Sequence, residues 1–188
     1  MKIRKEFITK ILGNDFENID EILAKFTTMR AKRNEVLLVQ GNICEEVYFL
    51  VKGAVQIYSL DQDMNEVTRD IVIEDAWFSD LPSFSSRNPS TESIRTLESS
   101  ILIAVNKNDF EFMMERIPKF HLVYKEILEK NYENSVERVK MFISLKASDR
   151  VLWLKKTKPT YFKRFPNKLL ASYLSINKDV FSRIYSKI

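Results

Sequence analysis

The chain has 188 residues, 45% of them hydrophobic and 30% charged, with a net charge of +4; this fits one large globular domain or two small ones and argues against disorder. No apolar run approaches the roughly 20 residues a membrane-spanning helix needs, and the start, MKIRKEFITKIL, lacks the apolar core and small-residue cleavage site of a signal peptide. One cysteine, Cys44, and one histidine, His121, exclude an internal disulfide, a cysteine-held cluster and a histidine-built zinc site, and point to a reducing, cytoplasmic setting.

Residues 2–12 and about 16–26 carry apolar stripes at helical spacing: Ile3, Phe7, Ile8, Ile11 and Leu12, then Phe16, Ile19, Ile22, Leu23 and Phe26. Gly13-Asn14-Asp15 breaks them. From Asn34 the period drops toward two. Short strands are expected at Val36–Val39, Val47–Val51 and Ala54–Leu60, with Gly53 between the last two. Another lies around Val67, Ile71 and Val72, after the turn cluster Asp61–Asn65, and two more at Ser93–Leu97 and Ser100–Val105. Many short strands separated by turns predict a small barrel or roll. Between them, WFSDLPSFSSRNPSTE (77–92) is rich in Ser and Pro and is expected to be an irregular, functional loop.

After Val105 the pattern is helical. Asn106 or Asn108 caps a short helix, Asp109 to Arg116, ended by Ile117-Pro118. A long helix follows, about Lys119 to Lys146. Ile127, Leu128, Tyr132, Ser135, Val139 and Phe142 recur along it in near-heptad steps. That stripe either packs on the roll or pairs with a second copy of the chain, and the length of the helix favours the second copy. Ala147-Ser148-Asp149 breaks this helix and caps the next, with Val151, Leu152 and Leu154 inward and Lys158-Pro159 at its end.

The last stretch, FPNKLLASYLSINKDVFSRIYSKI (165–188), predicts two short helices joined by a tight turn. Asn167 caps the first, and Leu169, Leu170, Tyr173 and Leu174 form its stripe. Ser175-Ile176 makes the turn. Asn177 caps the second, which has Val180, Phe181, Ile184 and Ile188 as apolar members. This is the pattern of a helix-turn-helix, whose second helix enters a DNA major groove; a plain helical hairpin closing a small core is the alternative. Charge favours DNA. Residues 146–188 hold eleven Lys/Arg against Asp149 and Asp179, a net +9, while residues 1–145 carry −5. No nucleophile–base pair, phosphate loop or metal cluster is evident, so no enzyme is expected.

Two motifs carry a family resemblance. EEVYFLVKGAVQIY (45–58), with Gly41 ahead of it, is similar to the roll signature of the Crp/Fnr superfamily of transcription regulators. LLASYLSINKDVFSRI (169–184) is similar to that family's helix-turn-helix, with Ala171, Leu174, Ile176, Ser182, Arg183 and Ile184 in register. The resemblance covers nearly the whole chain. It implies an α+β fold: an N-terminal double-stranded β-helix (a jelly roll of cyclic-nucleotide-binding type, 1–117) with flanking helices, a long dimerisation helix (118–146) and a C-terminal winged-helix-like helix-turn-helix domain (147–188). It implies a homodimer on double-stranded DNA, RNA polymerase as a further partner, and no membrane.

By that resemblance Lys178, Asp179 and Arg183, with Ser182, read bases. Lys163, Arg164, Lys168 and Lys187 are candidates for phosphates. Ile127, Leu128, Tyr132, Ser135, Val139 and Phe142 form the dimer seam. The family's effector cassette runs Gly-Glu-Leu, a short loop, then Arg-Ser or Arg-Thr. Here it matches Ser79-Asp80-Leu81 and Ser90-Thr91, with Arg87 or Arg95 as the remaining candidate cations. A buried phosphate without a paired cation is unfavourable, so cyclic AMP is not expected as ligand and no cofactor or metal is assigned. The family's glycine after the leucine of the turn is Ser175 here, where φ > 0 is expected. A sensor module without DNA binding is the rival reading. The loop 77–92 and the seam 127–142 are the expected moving parts.

Overall fold

The structure is a computed structural model describing residues 2–13 and 19–187. The expected break at Asn14-Asp15, the stripe member Phe16 and the last apolar position, Ile188, lie outside the described residues.

Among the described residues, eight strands form two four-stranded sheets. In chain order α1 (Lys2–Leu12) and α2 (Ile19–Ala24) precede β1 (Thr27–Ala31), β2 (Val36–Leu38), β3 (Glu46–Lys52), β4 (Ala54–Leu60), β5 (Glu66–Ile73) and β6 (Ala76–Phe78). Then come α3 (Leu81–Ser86), β7 (Ser93–Thr96), β8 (Ser100–Asn106), α4 (Lys107–Arg116) and α5 (Pro118–Ser144). Among the described residues, α6 (Ala147–Thr157), α7 (Tyr161–Arg164), α8 (Asn167–Tyr173) and α9 (Lys178–Tyr185) follow. The sheets have orders β1-β8-β3-β6 and β2-β7-β4-β5. In the first, β8 lies antiparallel to β1 and β3, with Thr27 opposite Ala104 and Tyr48 opposite the same residue from the other side. The near-continuous burial of β8 and β4 follows from apolar packing on both of their faces, which removes the alternation of a half-exposed strand.

Gly53 joins β3 to β4 with φ of 106°, and a Cβ there would come within 2.9 Å of the Ser100 backbone, so no side chain fits. The inner faces of the strands pack with Phe7 and Ile8 of α1, Phe110 and Met113 of α4, and Phe120, Val123 and Ile127 of α5.

The edge strand β1 was not expected: its TTMRA sequence has no apolar alternation, and an edge strand half open to water needs none. The stretch 77–92 is not irregular throughout. Trp77 and Phe78 belong to β6 and pair with β3, and Leu81–Ser86 form α3, with Asp80 as its cap and a proline in its first turn. What read as turn chemistry is helix-start chemistry. At the next boundary α6 starts at Ala147 itself, with Lys146 at the cap, so Ala147-Ser148-Asp149 opens the helix rather than breaking one. Leu152 faces outward, 47% exposed. Asn167 is the first residue of α8, not its cap: Pro166, with ψ of 148°, makes the turn into the helix. Among the described residues 147–187 there are four helices and no strand, so these residues do not build the wing expected with the helix-turn-helix.

The chain divides into two compact units, residues 1–57 with 71–128, and residues 58–70 with 129–188. The hairpin between β4 and β5 is thus grouped with the C-terminal helices. In that second unit Met141, Val151, Leu154, Tyr161, Phe165, Leu169, Leu170, Ala171, Tyr173, Leu174 and Phe181 are buried.

Candidate nucleic-acid interface and sensor cassette

In the second unit, α8 ends in a motif that fixes the direction of α9. The Ile176 amide donates to Ala171 O (2.9 Å) and the Ser175 amide to Ser172 O (3.0 Å), while Ser175 takes φ of 51°. This is a Schellman closure with serine in the left-handed position that glycine usually holds. Leu169, Leu170, Ala171, Tyr173 and Leu174 are buried, and Ile176 is half-buried at the junction. Asn177 caps α9 as expected: its side chain accepts from the amides of Asp179 and Val180. Asp179 in the first turn also complements the helix dipole.

Burial of Phe181 sets the rotation of α9. Its ring stacks on Phe162, 6.3 Å away, and lies 6.0 Å from Tyr185. A 100° step per residue then turns Asp179 and Arg183 to the opposite side. Lys178, Asp179 and Arg183 are exposed, and Ser182 is half-buried beside them. Lys163, Lys168 and Lys187 are exposed; Arg164 is half-buried, its guanidinium 5.6 Å from the Phe165 ring.

Two arginines tie α8 to α5. Arg138 donates to Tyr173 O (3.1 Å) and its guanidinium lies 4.3 Å from the Tyr173 ring. Arg150 donates to Leu174 O, Phe142 O and Leu145 O. Neither stands out in the sequence, where their only local sign is a cation on a helix near an aromatic. Lys158 sits by Tyr161 and Tyr173. Burial works against its ammonium, yet the neighbouring Tyr173, Tyr161 and Asp70 hold its pKa above the ordinary value. Burial pushes the Tyr161 phenol up to about 12.

Along α5 the seam residues part company. Ile127 is buried in the roll cluster, and Phe142 lies half-buried 4.9 Å from the Arg138 guanidinium. Leu128, Tyr132, Ser135 and Val139 are exposed, Tyr132 at 71% and Val139 at 55%. Ile143, unmarked in the sequence reading, extends this stripe at 80% exposure. His121 is exposed at the start of the same helix.

The cassette lies in the first unit and is closed on itself. Asp80 is 4% exposed; its carboxylate accepts from the Ser83 amide (3.2 Å) and from the Ser90 hydroxyl (2.5 Å). The Ser90 hydroxyl also accepts from the Glu92 amide (3.0 Å), and the Ser90 backbone bonds Gly41 and Asn42. Ser79 donates to Glu46 O (2.8 Å), with the buried Cys44 thiol 3.2 Å from its hydroxyl. Ser83 accepts from the Cys44 amide and donates to Asn88 O. Leu81 is half-buried and Thr91 exposed. Arg87 is turned outward in a bidentate pair with Glu45, at 2.6 and 2.7 Å, whose hydrogen bond holds the Glu45 carboxyl below its ordinary range. Arg95 donates to Gln56. So Ser79, Asp80 and Ser90 come together, while Arg87 stays apart from them.

Residues 28–117 match the family model of the cyclic nucleotide-binding domain. No sequence among curated proteins matches the chain. Solved structures share the fold. The c-di-GMP-responsive global regulator CLP of Xanthomonas campestris is 14% identical, with 90% of this chain and 89% of that one covered, at a TM-score of 0.71. FixK2 of Bradyrhizobium japonicum is 15% identical over 86% and 83%, at 0.73. A protein of Eubacterium rectale assigned to the crp/fnr family of transcriptional regulators is 13% identical over 92% and 83%, at 0.74. At these identities the likeness establishes the fold alone. Among the described residues no helix is long and apolar enough to cross a membrane, and no cluster of His, Cys, Asp or Glu could hold a metal ion.

Proposed function

We propose that the chain is a homodimeric, sequence-specific DNA-binding transcriptional regulator of the Crp/Fnr type whose effector cassette does not bind cyclic AMP. The carrying observation is α9: a capped helix with Phe181 buried on one side, Asp179 and Arg183 exposed on the other, and Lys178 exposed in its first turn. Arg183 suits a guanine edge and Asp179 accepts from cytosine. Lys163, Arg164, Lys168 and Lys187 serve phosphates and supply affinity rather than sequence choice.

The stripe Leu128, Tyr132, Ser135, Val139 and Ile143 supports pairing of two α5 helices, since large apolar side chains in register are costly to leave in water. Pairing would set two α9 helices about 34 Å apart, one DNA turn, and call for a near-palindromic site. RNA polymerase is the partner such a regulator would address once on DNA.

Cyclic AMP would have to displace the chain's own groups. The start of α3, where a ligand phosphate would find free amides, already holds the Asp80 carboxylate, and Ser90 stands where the family places arginine. A second anion there would meet a like charge with no paired cation.

Selection from random duplexes tests DNA reading. The expected result is a preferred near-palindrome whose affinity falls steeply with added salt; retention of no sequence at low salt overturns it. Sedimentation should give a dimer, and Val139→Glu a monomer. Calorimetry should give no binding of cyclic AMP, and sub-micromolar affinity would overturn the closed cassette.

A further inference from the structure

The hairpin 58–70 belongs to the same compact unit as α6–α9, although it is covalently part of β4 and β5. Its attachment is specific. The Ser172 hydroxyl, on α8, donates to Glu66 O (2.8 Å), accepts from the Thr68 amide (2.9 Å), and lies 2.9 Å from the Thr68 hydroxyl. One donor and two lone pairs are thereby all used. Thr68 is 1% exposed. Arg138 of α5 reaches both sides of the junction: one guanidinium nitrogen donates to Tyr173 O of α8 and another to Thr68 O of the hairpin (3.4 Å). The turn of the hairpin is itself built, since Asp61 accepts from the amides of Asp63 and Asn65 and Met64 takes φ of 61°. Residues 147–187 alone are near the size, roughly 40 residues, below which a core does not hold itself without help.

We propose that the 58–70 hairpin is a working part of the DNA-reading head, latched to α8 through Ser172 and Arg138, and that the latched form is the one that reads DNA. Ser172 and Arg138 are positioning residues: they touch no base but fix how α8, and through the Ser175 turn α9, is mounted on α5. With the latch closed, Lys178, Asp179 and Arg183 are all exposed. Two heads held on rigid mounts engage two half-sites at a high effective concentration, and loosening the mounts lowers that concentration without altering either head's own contacts. The strands of the hairpin run unbroken into the first unit at Ile57 and Ile71. This gives the roll a route to the head in addition to the α5 seam.

The latch can be tested with and without DNA; its reading role rests on the DNA-binding proposal above. By hydrogen exchange the Thr68 amide should be protected in the full-length wild type and exchange at least about tenfold faster in Ser172→Ala, with Ser172→Thr restoring protection; a wild-type Thr68 as fast as Asp63 shows that no latch exists. On the duplex selected by the wild type, Ser172→Ala should lose about tenfold in affinity while a duplex carrying one half-site is bound within about twofold of wild type. Equal losses on both duplexes, or none on either, overturn the positioning role. In a Cys44→Ala background, Thr68→Cys with Ser172→Cys should crosslink on oxidation and keep wild-type affinity; a tenfold loss on oxidation, restored by reduction, means that the open form reads DNA and overturns the proposal. Should the wild type select no duplex, the DNA-reading proposal and the latch's reading role fall together, and the exchange result still decides whether the hairpin is held by Ser172.

Discussion

The cluster around Asp80 and the helix α9, the two sites that the proposed function turns on, differ in what their polar groups have left to offer. Around Asp80 the carboxylate and the Ser83 and Ser90 hydroxyls are all spent on one another or on backbone within the domain. On α9 the charged groups stand exposed beside a buried aromatic. A polar group contributes to binding only if it is not already satisfied, because exchanging one good hydrogen bond for another yields little net free energy. The same residue types therefore mean closure in one place and readiness in the other.

The sharpest way to break the contrast is Asp80→Ala. Loss of the α3 cap and of a buried partner for Ser90 should lower stability by about 2–3 kcal/mol in denaturant titration, with DNA affinity unchanged at temperatures where the variant is folded. Recovery of cyclic AMP binding in that variant would show that the carboxylate was merely screening a working site. Next in size, Arg183→Ala should leave the denaturation midpoint in place while costing about 2 kcal/mol of discrimination at one base pair of the selected site. A smaller effect is expected from Lys168→Ala and Lys187→Ala: each should weaken binding evenly across sequences and reduce the slope of log affinity against log salt by about one. The smallest is Ser175→Gly, which relieves a left-handed serine and should raise stability by about 0.5 kcal/mol at unchanged DNA affinity. A loss of stability there would mean that the serine hydroxyl contributes to the turn.

Much of the C-terminal helix pair was legible. Asn177 is a cap and Phe181 an inward residue because both depend on neighbours within one turn, while Ser175 was marked as a left-handed position only by the resemblance, since it stands where that family's turn carries glycine. The strands β3, β4 and β8 were legible because burial demands apolar residues. β1 was not, because an edge strand accepts polar residues on both faces. α3 was missed because Pro82 and the serines that signal a turn also start a short helix, and nothing nearby says which. On α5 the periodicity marked Ile127 and Leu128 alike, yet one is buried in the roll cluster and the other is 42% exposed. Which of two adjacent apolar residues faces the core depends on what packs beside the helix.

The cap at Asn177 and the concentration of positive charge in the last quarter of the chain were settled by the order of residues alone, since neither depends on a distant partner. The tertiary structure decided which polar groups spend themselves on one another. Thr68 and Ser172 meet across 104 positions and Asp80 and Ser90 across 10. No local preference encodes such meetings; they exist only once the apolar faces have collapsed and brought distant backbone together.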